Sequence, residues 1–513
     1  MFLEIPLLSL IIWFPIFSGC CILLLKETSA GRFLSKNISL IVSVISLYLC
    51  YLLYSGFNTK SWEMQFVENE PWVSELGIFY NIGIDGISLP LIILTCFMTF
   101  IVIIYSYNVI KSSVIQYFSY FLIMQGMICG VFAAIDSILF YVFFEAMLIP
   151  MFLIIGIWGG VNRIYATIKF FLYTFFGSIF FLISLIYLHY VLYFNSGELT
   201  FSILKFHSAY LSIHQQKWLF WGMVLAFAIK VPMWPVHTWL PDAHVEAPTG
   251  GSVILAAITL KVGGYGMLRF LLPIVPDGCI IFSNIIIILS FIAIVYIGLV
   301  AIVQVDMKKL VAYSSISHMG FVTLGCFLLF TFNFEPKYIR NAIMGLEGSM
   351  IQMISHGFIS GAMFICVGVL YERMHTKLIS KYGGVVHSMP MFAVLFMVFS
   401  MANSGLPGTS GFVGELFVVL AVFKVHYLYA LIAGLTLILG ATYTLWMYKR
   451  VIFGKIVNKN IFNFNDIDIN EKLSLIFLGA LVILFGIWPD PLLNLIHSSI
   501  EHLVYQVMQS KVF

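Results

Sequence analysis

Long apolar runs recur along this sequence, and they constrain its fold more than any other feature. The run NIIIILSFIAIVYIGLVAIVQV, from Asn284 to Val305, is apolar on all sides and not on alternate residues. A bilayer core about 30 Å thick needs roughly 20 such residues per helical crossing, whereas a transmembrane barrel shows short alternating segments. With 61% hydrophobic and 10% charged residues, the chain has too little polar surface for soluble domains. The sequence therefore predicts an all-α, polytopic membrane protein.

The apolar runs predict about fourteen transmembrane helices. The first is expected to be a retained helix and not a signal peptide, because Glu4 stands where a signal peptide carries Lys or Arg. The predicted segments are Ile5–Leu25, Ile38–Tyr54, Ser88–Tyr107, Val114–Ala134, Ser137–Trp158, Ile164–Tyr193, Lys217–Leu240, Gly250–Leu272, Ile280–Val305, Lys309–Phe332, Ala342–Tyr371, Met389–Val425, His426–Arg450 and Lys472–Trp488.

The distribution of basic residues predicts the orientation. Sixteen of the 26 Lys and Arg residues fall in one set of loops and eight in the other, while Lys230 and Lys261 lie inside helices. Because loops rich in Lys and Arg stay on the inner side of a membrane, both termini are predicted outside. The acidic stretch from Glu63 to Glu75 falls on that outer side.

Several classes of site have no sequence pattern here. The eight cysteines are scattered through apolar segments with no CxxC or Cys/His grouping, so neither zinc nor an iron–sulfur cluster is expected. There is no phosphate-binding glycine loop and no basic cluster of the kind that binds nucleic acid. The sequence therefore predicts no redox cofactor and no metal in this chain, and no nucleic-acid partner.

Two of the predicted helices are interrupted. Leu225–His244 contains Pro232, Pro235 and Pro241, and Phe399–Phe417 contains a proline among four glycines. Each proline removes an intrahelical hydrogen bond, which is tolerated at membrane depth only where protein or trapped water satisfies the freed groups. Such a pair, one in each half of the chain, is typical of inverted-repeat transporters with the functional site at the breaks. The alternative is that the prolines only kink packed helices.

Four ionisable residues lie well inside apolar runs: Glu145, Lys230, Lys261 and Glu415. Each costs about 2.5–3.5 kcal/mol at a helix centre, so a functional use is the default reading. The alternatives are that the lysines extend their ammonium groups to the interface, that Glu145 is a protonated core residue, and that Glu415 is a helix N-terminal carboxylate. Two acids and two bases in one apolar protein favour pairing, because an ion pair offsets part of each desolvation cost.

Histidines add further groups that carry protons. His318 and His356 lie inside later helices, and His237 follows the first break. Each alone is also compatible with a satisfied core histidine. Three residues before the sequence APTGGS are interpreted as capping and loop residues. They are Asp242, His244 and Glu246.

Four motifs identify a family resemblance. KVPMWPVHTWLPDAHVEAPTGGSVILAAITLKVGGYGMLRF, FFEAMLIPMF, DMKKLVAYSSISHMG and NSGLPGTSGFVGE closely resemble the signatures of the antiporter-like membrane subunits of complex I, the NADH–quinone oxidoreductase. Within that family the chain most resembles the branch called subunit M, mitochondrial subunit 4. Glu415 favours this branch, because the related subunits L and N usually place a lysine there.

The resemblance implies one proton relay through the buried residues. Glu145 would pair with Lys230, and Glu415 would deliver protons outward. The implied members are Glu145, Lys230, Lys261, His318, His356 and Glu415, with His237 tuning Lys230. NADH, FMN, iron–sulfur clusters and quinone would all belong to partner subunits, and the neighbours in the bilayer would be subunits L and N.

The resemblance also implies a domain plan and a location. N-terminal helices and an outer loop would occupy 1–113, two inverted five-helix repeats 114–272 and 280–450, and an inner loop with the C-terminal transmembrane helix 451–513. The expected location is a bacterial inner membrane with both termini on the periplasmic side. Two other functions stay open at this point: a subunit of a multi-subunit Na⁺/H⁺ antiporter, and a membrane scaffold that moves nothing.

Overall fold

The computed structural model describes residues 6–332, 335–456 and 458–512. Glu4, and Ile5 at the start of the first predicted helix, lie outside these residues. In chain order the first half contains α1 Leu7–Leu23, α2 Ser29–Gly56, β1 Gln65–Val73, β2 Ile78–Ile84, α3 Ser88–Val109, α4 Val114–Ala133, α5 Ser137–Ala146, α6 Leu148–Trp158, α7 Arg163–Ser196, α8 Ile203–His207, α9 Ile213–Lys230, α10 Trp239–Glu246, α11 Thr249–Ile254, α12 Leu260–Gly266 and α13 Leu272–Ile274.

The second half contains longer helices. They are α14 Pro276–Ile302, α15 Met307–Leu328, α16 Ile339–Met374, α17 Pro390–Asn403, α18 Ser410–Val425, α19 Tyr427–Ile452, α20 Ile469–Ile487 and α21 Asp490–Val507. Within the described residues, 11 helices are long and apolar enough to cross a membrane, and Leu7–Leu23 and Pro390–Asn403 are shorter apolar helices. The predicted helical, multi-pass fold is confirmed, whereas the number of fourteen crossings stays a prediction.

Both predicted interruptions are present. The first lies between the end of α9 at Lys230 and the start of α10 at Trp239. Here the Trp239 indole donates a hydrogen bond to the carbonyl of Ile229, 2.9 Å away, so a side chain satisfies a backbone group that the break frees. The second lies between α17 and α18, where the Leu406 amide donates to the Met401 carbonyl. The two breaks are therefore compact turns held by protein groups.

Two further irregularities surround the buried charges. The segment predicted as Ser137–Trp158 divides at Met147 into α5 and α6, because Pro150 has no N–H to donate to the carbonyl four residues earlier. The predicted Gly250–Leu272 helix contains two π-helical turns, Leu255–Thr259 and Met267–Leu271, which flank α12. Glu145 lies at the end of α5 and Lys261 in the first turn of α12, so each charged residue follows or precedes a local change in helical geometry.

The acidic stretch between α2 and α3 forms a hairpin, which the apolar pattern does not predict. Strands β1 and β2 pair antiparallel, and the Glu68 carboxylate accepts a hydrogen bond from the Leu8 amide, 3.0 Å away, and others from Ser9. Amides at the start of a helix have no intrahelical partner. The hairpin therefore supplies hydrogen-bond acceptors for the first amides of α1. The C-terminal helix α21 is also absent from the predicted segments. It is amphipathic, and its buried face includes Leu495, Ile496 and Ile500.

Candidate functional site

Lys261 lies in the interior of the protein, with its side chain fully buried. Its Nζ atom is 2.7 Å from Nδ1 of His356 on α16 and 2.5 Å from the carbonyl oxygen of Ala256 in the first π-helical turn. The ammonium group therefore stays at depth and does not extend to the interface. Because an imidazole nitrogen accepts a hydrogen bond from an ammonium, the contact joins a proton donor directly to a proton acceptor.

A second hydrogen-bonded pair joins the helices α15 and α18. Nδ1 of His318 is 2.8 Å from Oε1 of Glu415, and the Gln352 amide donates to the same oxygen from 3.2 Å. Glu415 is 4% exposed, so its carboxylate is held by protein groups and not by solvent. His318 and Gln352 position it toward α16, which also carries His356.

The two pairs face each other across a short gap. The His318 and His356 ring centroids are 5.9 Å apart, and among the described residues Nε2 of neither ring has a hydrogen-bond partner. The arrangement therefore places Lys261, His356, His318 and Glu415 in one row, with a single gap between the imidazoles.

Lys230 and Glu145 are close without forming an ion pair. Lys230 is buried at the end of α9, with Nζ 4.6 Å from the centre of the Phe144 ring. Among the described residues its charged neighbour is Glu145, which acts through the electric field alone. The Glu145 carboxylate lies near the Ser178 hydroxyl, which donates its own hydrogen bond to the Phe175 carbonyl; among the described residues Oε1 of Glu145 has no hydrogen-bond partner. The aromatic face of Phe144 thus provides part of the stabilisation that a carboxylate would supply in a direct pair.

The helices that carry the two lysines are in contact through a glycine. A Cβ atom on Gly263 would lie 2.9 Å from Cβ of Lys230 and 2.8 Å from the backbone nitrogen of Val231. Only glycine allows α12 to approach the end of α9 this closely. The spacing of the two lysines is therefore set by backbone contact, although no hydrogen bond between them is recorded in the described part of the chain.

His237 lies in the first break, between α9 and α10. Its Nδ1 atom is buried and has no hydrogen-bond partner among the described residues, and its charged neighbour is Lys169 on α7. Lys169 in turn forms an ion pair with Asp242, with 2.6 Å between Nζ and Oδ2. This ion pair holds α7 against α10. A role for His237 in tuning Lys230 stays a prediction.

Comparisons with known proteins agree with one another. The family described as "NADH:quinone oxidoreductase/Mrp antiporter, TM" matches residues 134–440. NADH-quinone oxidoreductase subunit M of Rickettsia bellii is 46% identical over 509 residues, covering 98% of this chain and 99% of the relative. The subunit M of Rhodobacter capsulatus is 45% identical, covering 97% and 96%. The chain belongs to the NADH-quinone oxidoreductase subunit M family. The resemblance seen in its motifs is thereby confirmed.

Solved structures extend the match to the fold of this subunit M family member. A chain of respiratory complex I from Thermus thermophilus with bound NADH is 27% identical, with a TM-score of 0.86 and coverage of 98% of this chain and 99% of that one. A chain of the Mrp complex from Dietzia sp. DQ12-45-1b has a TM-score of 0.82 at 17% identity. The second match shows a shared fold alone.

Three residues near the row correct or extend the sequence analysis of this subunit M family member. His244, interpreted as a loop residue, is fully buried and stacks on Phe364 at 4.5 Å between ring centroids. It is buried because α10 turns back into the protein after the first break. Gln352 was not singled out, although it precedes His356 by one helical turn and so shares its face. Glu246 does hold a loop, accepting a hydrogen bond from the Asn162 amide.

The row contains acids, bases and imidazoles only. Within residues 6–332, 335–456 and 458–512, no three His, Cys, Asp or Glu side chains are grouped to hold a metal ion. What the arrangement does offer is a sequence of groups that accept a proton on one side and release it on the other, which is the requirement for proton relay.

Proposed function

We propose that the chain translocates protons as a membrane subunit of NADH–quinone oxidoreductase. The observation that carries this proposal is the row formed by two hydrogen-bonded pairs, Lys261 with His356 and His318 with Glu415, in the interior of a membrane protein of the subunit M family. Lys230 and Glu145 extend the row on the other side of Lys261. Quinone reduction in a partner subunit drives the transfer, and the redox groups NADH, FMN and iron–sulfur clusters belong to partner subunits.

The proton movement follows from the contacts. The Lys261 ammonium donates its proton to Nδ1 of His356, and the imidazole then releases a proton from Nε2, since the two ring nitrogens exchange roles as donor and acceptor. His318 accepts at Nε2 across the gap and donates from Nδ1 to Oε1 of Glu415. Each step moves one proton between adjacent groups, so no charged side chain has to cross the bilayer.

Lys230 and Glu145 supply the control. Without a direct hydrogen bond, their attraction depends on the distance between them, which small helix movements change. A shift of Glu145 toward Lys230 holds the proton on Lys230. A shift away favours loss of that proton, and the loss removes a positive charge that disfavours a proton on Lys261. The work required is about 2.3 kcal/mol for each charge moved against 100 mV.

The proposal includes the surroundings of the chain. Its neighbours are subunits L and N of the same complex, its repeats occupy 114–272 and 280–450, and it lies in a bacterial inner membrane with both termini on the periplasmic side. One break falls in each repeat, and the basic residues favour this orientation. The segments 1–113 and 451–513 flank the repeats.

The test is the substitution Lys261→Met in the assembled complex reconstituted into liposomes. Methionine keeps the volume of the side chain and removes the proton, so NADH-driven proton uptake should fall by about 10²-fold. Lys472→Met, at the exposed inner end of α20, is the matched control and should change nothing. Unchanged uptake by an assembled Lys261→Met complex would show that the chain is a scaffold.

A second candidate, a subunit of a multi-subunit Na⁺/H⁺ antiporter, has the shared fold of the Mrp chain in its favour. It predicts Na⁺ exchange by membranes that contain the chain. Loss of Na⁺ exchange with intact NADH-driven proton uptake, on deletion of the chain, would establish this candidate and refute the first.

A further inference from the structure

Three cysteines from three different helices come together in the interior of the protein. Cys50 lies on α2, Cys96 on α3 and Cys129 on α4, and each is a free thiol that is at most 2% exposed. The sulfur atoms of Cys96 and Cys129 are 3.8 Å apart. Cys50 is close enough to Cys96 for the two thiols to interact. We call these three residues the thiol cluster; Cys96 is its central member because it contacts both of the others.

A buried glutamine faces the central sulfur of the thiol cluster. Gln125 is 1% exposed, and its side-chain amide donates a hydrogen bond to Sγ of Cys96 over 3.4 Å. It precedes Cys129 by four residues on α4, so both side chains lie on one face of that helix. Because a neutral thiol is only a weak acceptor, packing alone does not account for an amide here. A donor held against a sulfur assists a reaction in which that sulfur gains negative charge.

An apolar groove of about 370 Å³ leads to the thiol cluster. Its lining comes from α2, α3, α16, α20 and α21, and Cys50 is the member of the thiol cluster that lines it. The apolar windows of α2 and α20 are only 33% buried, so these two helices present the groove to lipid. An apolar molecule dissolved in the bilayer therefore reaches Cys50 without passing through water. The other lining residues include Tyr54, Phe97, Phe358 and Phe485.

The chemistry of the thiol cluster follows from these three features. An isolated buried cysteine acts as a small apolar residue and does not react. Here a second sulfur and a third lie within reach, an amide faces the central sulfur, and a groove admits a reagent. Among the described residues no group of three side chains is arranged to hold a metal ion, so the reaction that the arrangement allows is bond formation between sulfur atoms.

We propose that the thiol cluster is a redox modification site whose oxidant is a lipid hydroperoxide. Such a molecule combines an apolar chain, which fits the groove, with an O–O bond that a thiol cleaves. The Cys50 sulfur takes the terminal oxygen of the hydroperoxide, so that Cys50 becomes a sulfenic acid and the lipid alcohol leaves. The Cys96 thiol then attacks the Cys50 sulfur, water leaves, and a disulfide joins Cys50 to Cys96.

The last step passes the disulfide to the pair of thiols with the recorded contact. The Cys129 thiol attacks the Cys96 sulfur, a bond forms between Cys96 and Cys129, and Cys50 leaves with the proton from Cys129. A disulfide is about 2.05 Å long, so the two sulfurs approach from 3.8 Å by a movement within the reach of side-chain rotation. In sum, two thiols lose two electrons and two protons, and the hydroperoxide becomes an alcohol and water. This site is independent of the proposed function.

The first experiment maps disulfides in the assembled complex in liposomes. The complex is treated with linoleic acid hydroperoxide at a dose that modifies the exposed Cys20 and Cys21, then alkylated and analysed by mass spectrometry. We expect one disulfide in the thiol cluster, between Cys96 and Cys129. No disulfide in the cluster at that dose would overturn the proposal. A stable bond between Cys50 and Cys96 as the end product would overturn the transfer to Cys129.

The choice of oxidant is tested with hydrogen peroxide, which has the same O–O bond and no apolar chain. Because it stays in water, it should form the disulfide at least about tenfold more slowly than linoleic acid hydroperoxide at equal concentration. Equal rates would show that the groove selects nothing and that a lipid hydroperoxide is not the specific oxidant.

The role of Cys50 is tested by Cys50→Ser. Formation of the disulfide between Cys96 and Cys129 by linoleic acid hydroperoxide should slow by about tenfold, because the thiol that meets the reagent is lost. Cys366→Ser, at a fully buried position on α16, is the matched control and should react like the parent complex. An unchanged rate in Cys50→Ser would overturn entry through Cys50. If Cys50→Ser fails to assemble, Cys50→Ala provides the same comparison.

Two further variants test the order of the steps. Cys129→Ser should stop the reaction at the disulfide between Cys50 and Cys96, and its absence there would show that the order is wrong. Gln125 is a positioning residue in this scheme. Gln125→Leu should slow the attack of Cys96, so the sulfenic acid on Cys50 that dimedone captures should rise by about fivefold. An unchanged dimedone yield would show that the amide has only a structural role.

Discussion

The two interrupted helices hold their charges in different ways. At the first break Lys230 faces the ring of Phe144, and its nearest acid, Glu145, lies beside Ser178 without a direct bond to the lysine. At the second break Glu415 accepts hydrogen bonds from two side chains on two other helices. The first arrangement is adjustable and the second is preformed.

This difference assigns control of proton transfer to the first break and proton conduction to the second. A Coulomb interaction changes gradually with distance, whereas a hydrogen bond is lost within about 0.5 Å of extra separation. At the first break, a small movement of a neighbouring subunit can therefore change the attraction between Glu145 and Lys230. The second break keeps a constant geometry in which each proton finds the same acceptor.

Removing the acceptor at the second break should have the largest effect. Glu415→Ala leaves His318 and Gln352 without their shared oxygen, so proton uptake per NADH in proteoliposomes should fall by about 10²-fold. Glu75→Ala, at an exposed position between the two strands, is the matched glutamate control. Retention of more than half of the uptake would show that the second break is not a required step.

Neutralising the acid at the first break should have a smaller effect. Glu145→Gln removes the electric field on Lys230 and leaves every recorded hydrogen bond of the row intact, so uptake should fall by about tenfold, the equivalent of 1.4 kcal/mol. The measurement is the same uptake assay at matched NADH oxidation rates. If Glu145→Gln proves as damaging as Glu415→Ala, the first break conducts as well as controls.

Removing the hydroxyl of Ser178, which lies near Glu145, should have a smaller effect than Glu145→Gln. Ser178→Ala removes a neighbouring hydroxyl whose hydrogen bond goes to the Phe175 carbonyl, so only the hydroxyl dipole acts on the carboxylate and uptake should change by less than about twofold. Isotope-edited infrared spectroscopy of the carboxyl band provides an independent measurement. A Ser178→Ala band identical to that of the parent would show that the hydroxyl has no influence on Glu145.

The cap of α5 should have the smallest effect on uptake. The Asp136 side chain accepts from the amides of Ile138 and Leu139 and so begins the helix that carries Glu145. Asp136→Ala should lower stability by about 1 kcal/mol, with uptake unchanged, whereas Asp136→Asn keeps an acceptor and most of the stability. Thermal unfolding of the purified complex measures the first effect, and a large loss of uptake would show that the α5 start tunes Glu145.

The sequence predicts the helices and the buried charges well because both depend on the local sequence alone and not on contacts between distant segments. A run of about 20 apolar residues specifies a membrane crossing whatever its neighbours are. A lysine within that run costs free energy however the helices pack. The breaks are likewise visible as prolines, since Pro232 and Pro235 cannot donate the hydrogen bonds that a helix requires.

The remaining features depend on contacts between segments far apart in sequence. The π-helical turns beside Lys261 have no local signal, and the hairpin depends on Glu68 meeting the start of α1. The position of Phe144 beside Lys230 depends on how α5 packs on α9. His244 has the sequence surroundings of a loop, and only the return of α10 into the interior makes it buried.

The indole of Trp239, which closes the first break at the carbonyl of Ile229, also bears on leakage. A free carbonyl beside Lys230 would attract water, and a file of water at that point would let protons pass by a route that bypasses the imidazoles. The indole takes the place of that water and is itself almost fully buried. Tight coupling between NADH oxidation and the membrane voltage thus depends on a tryptophan that carries no proton at all.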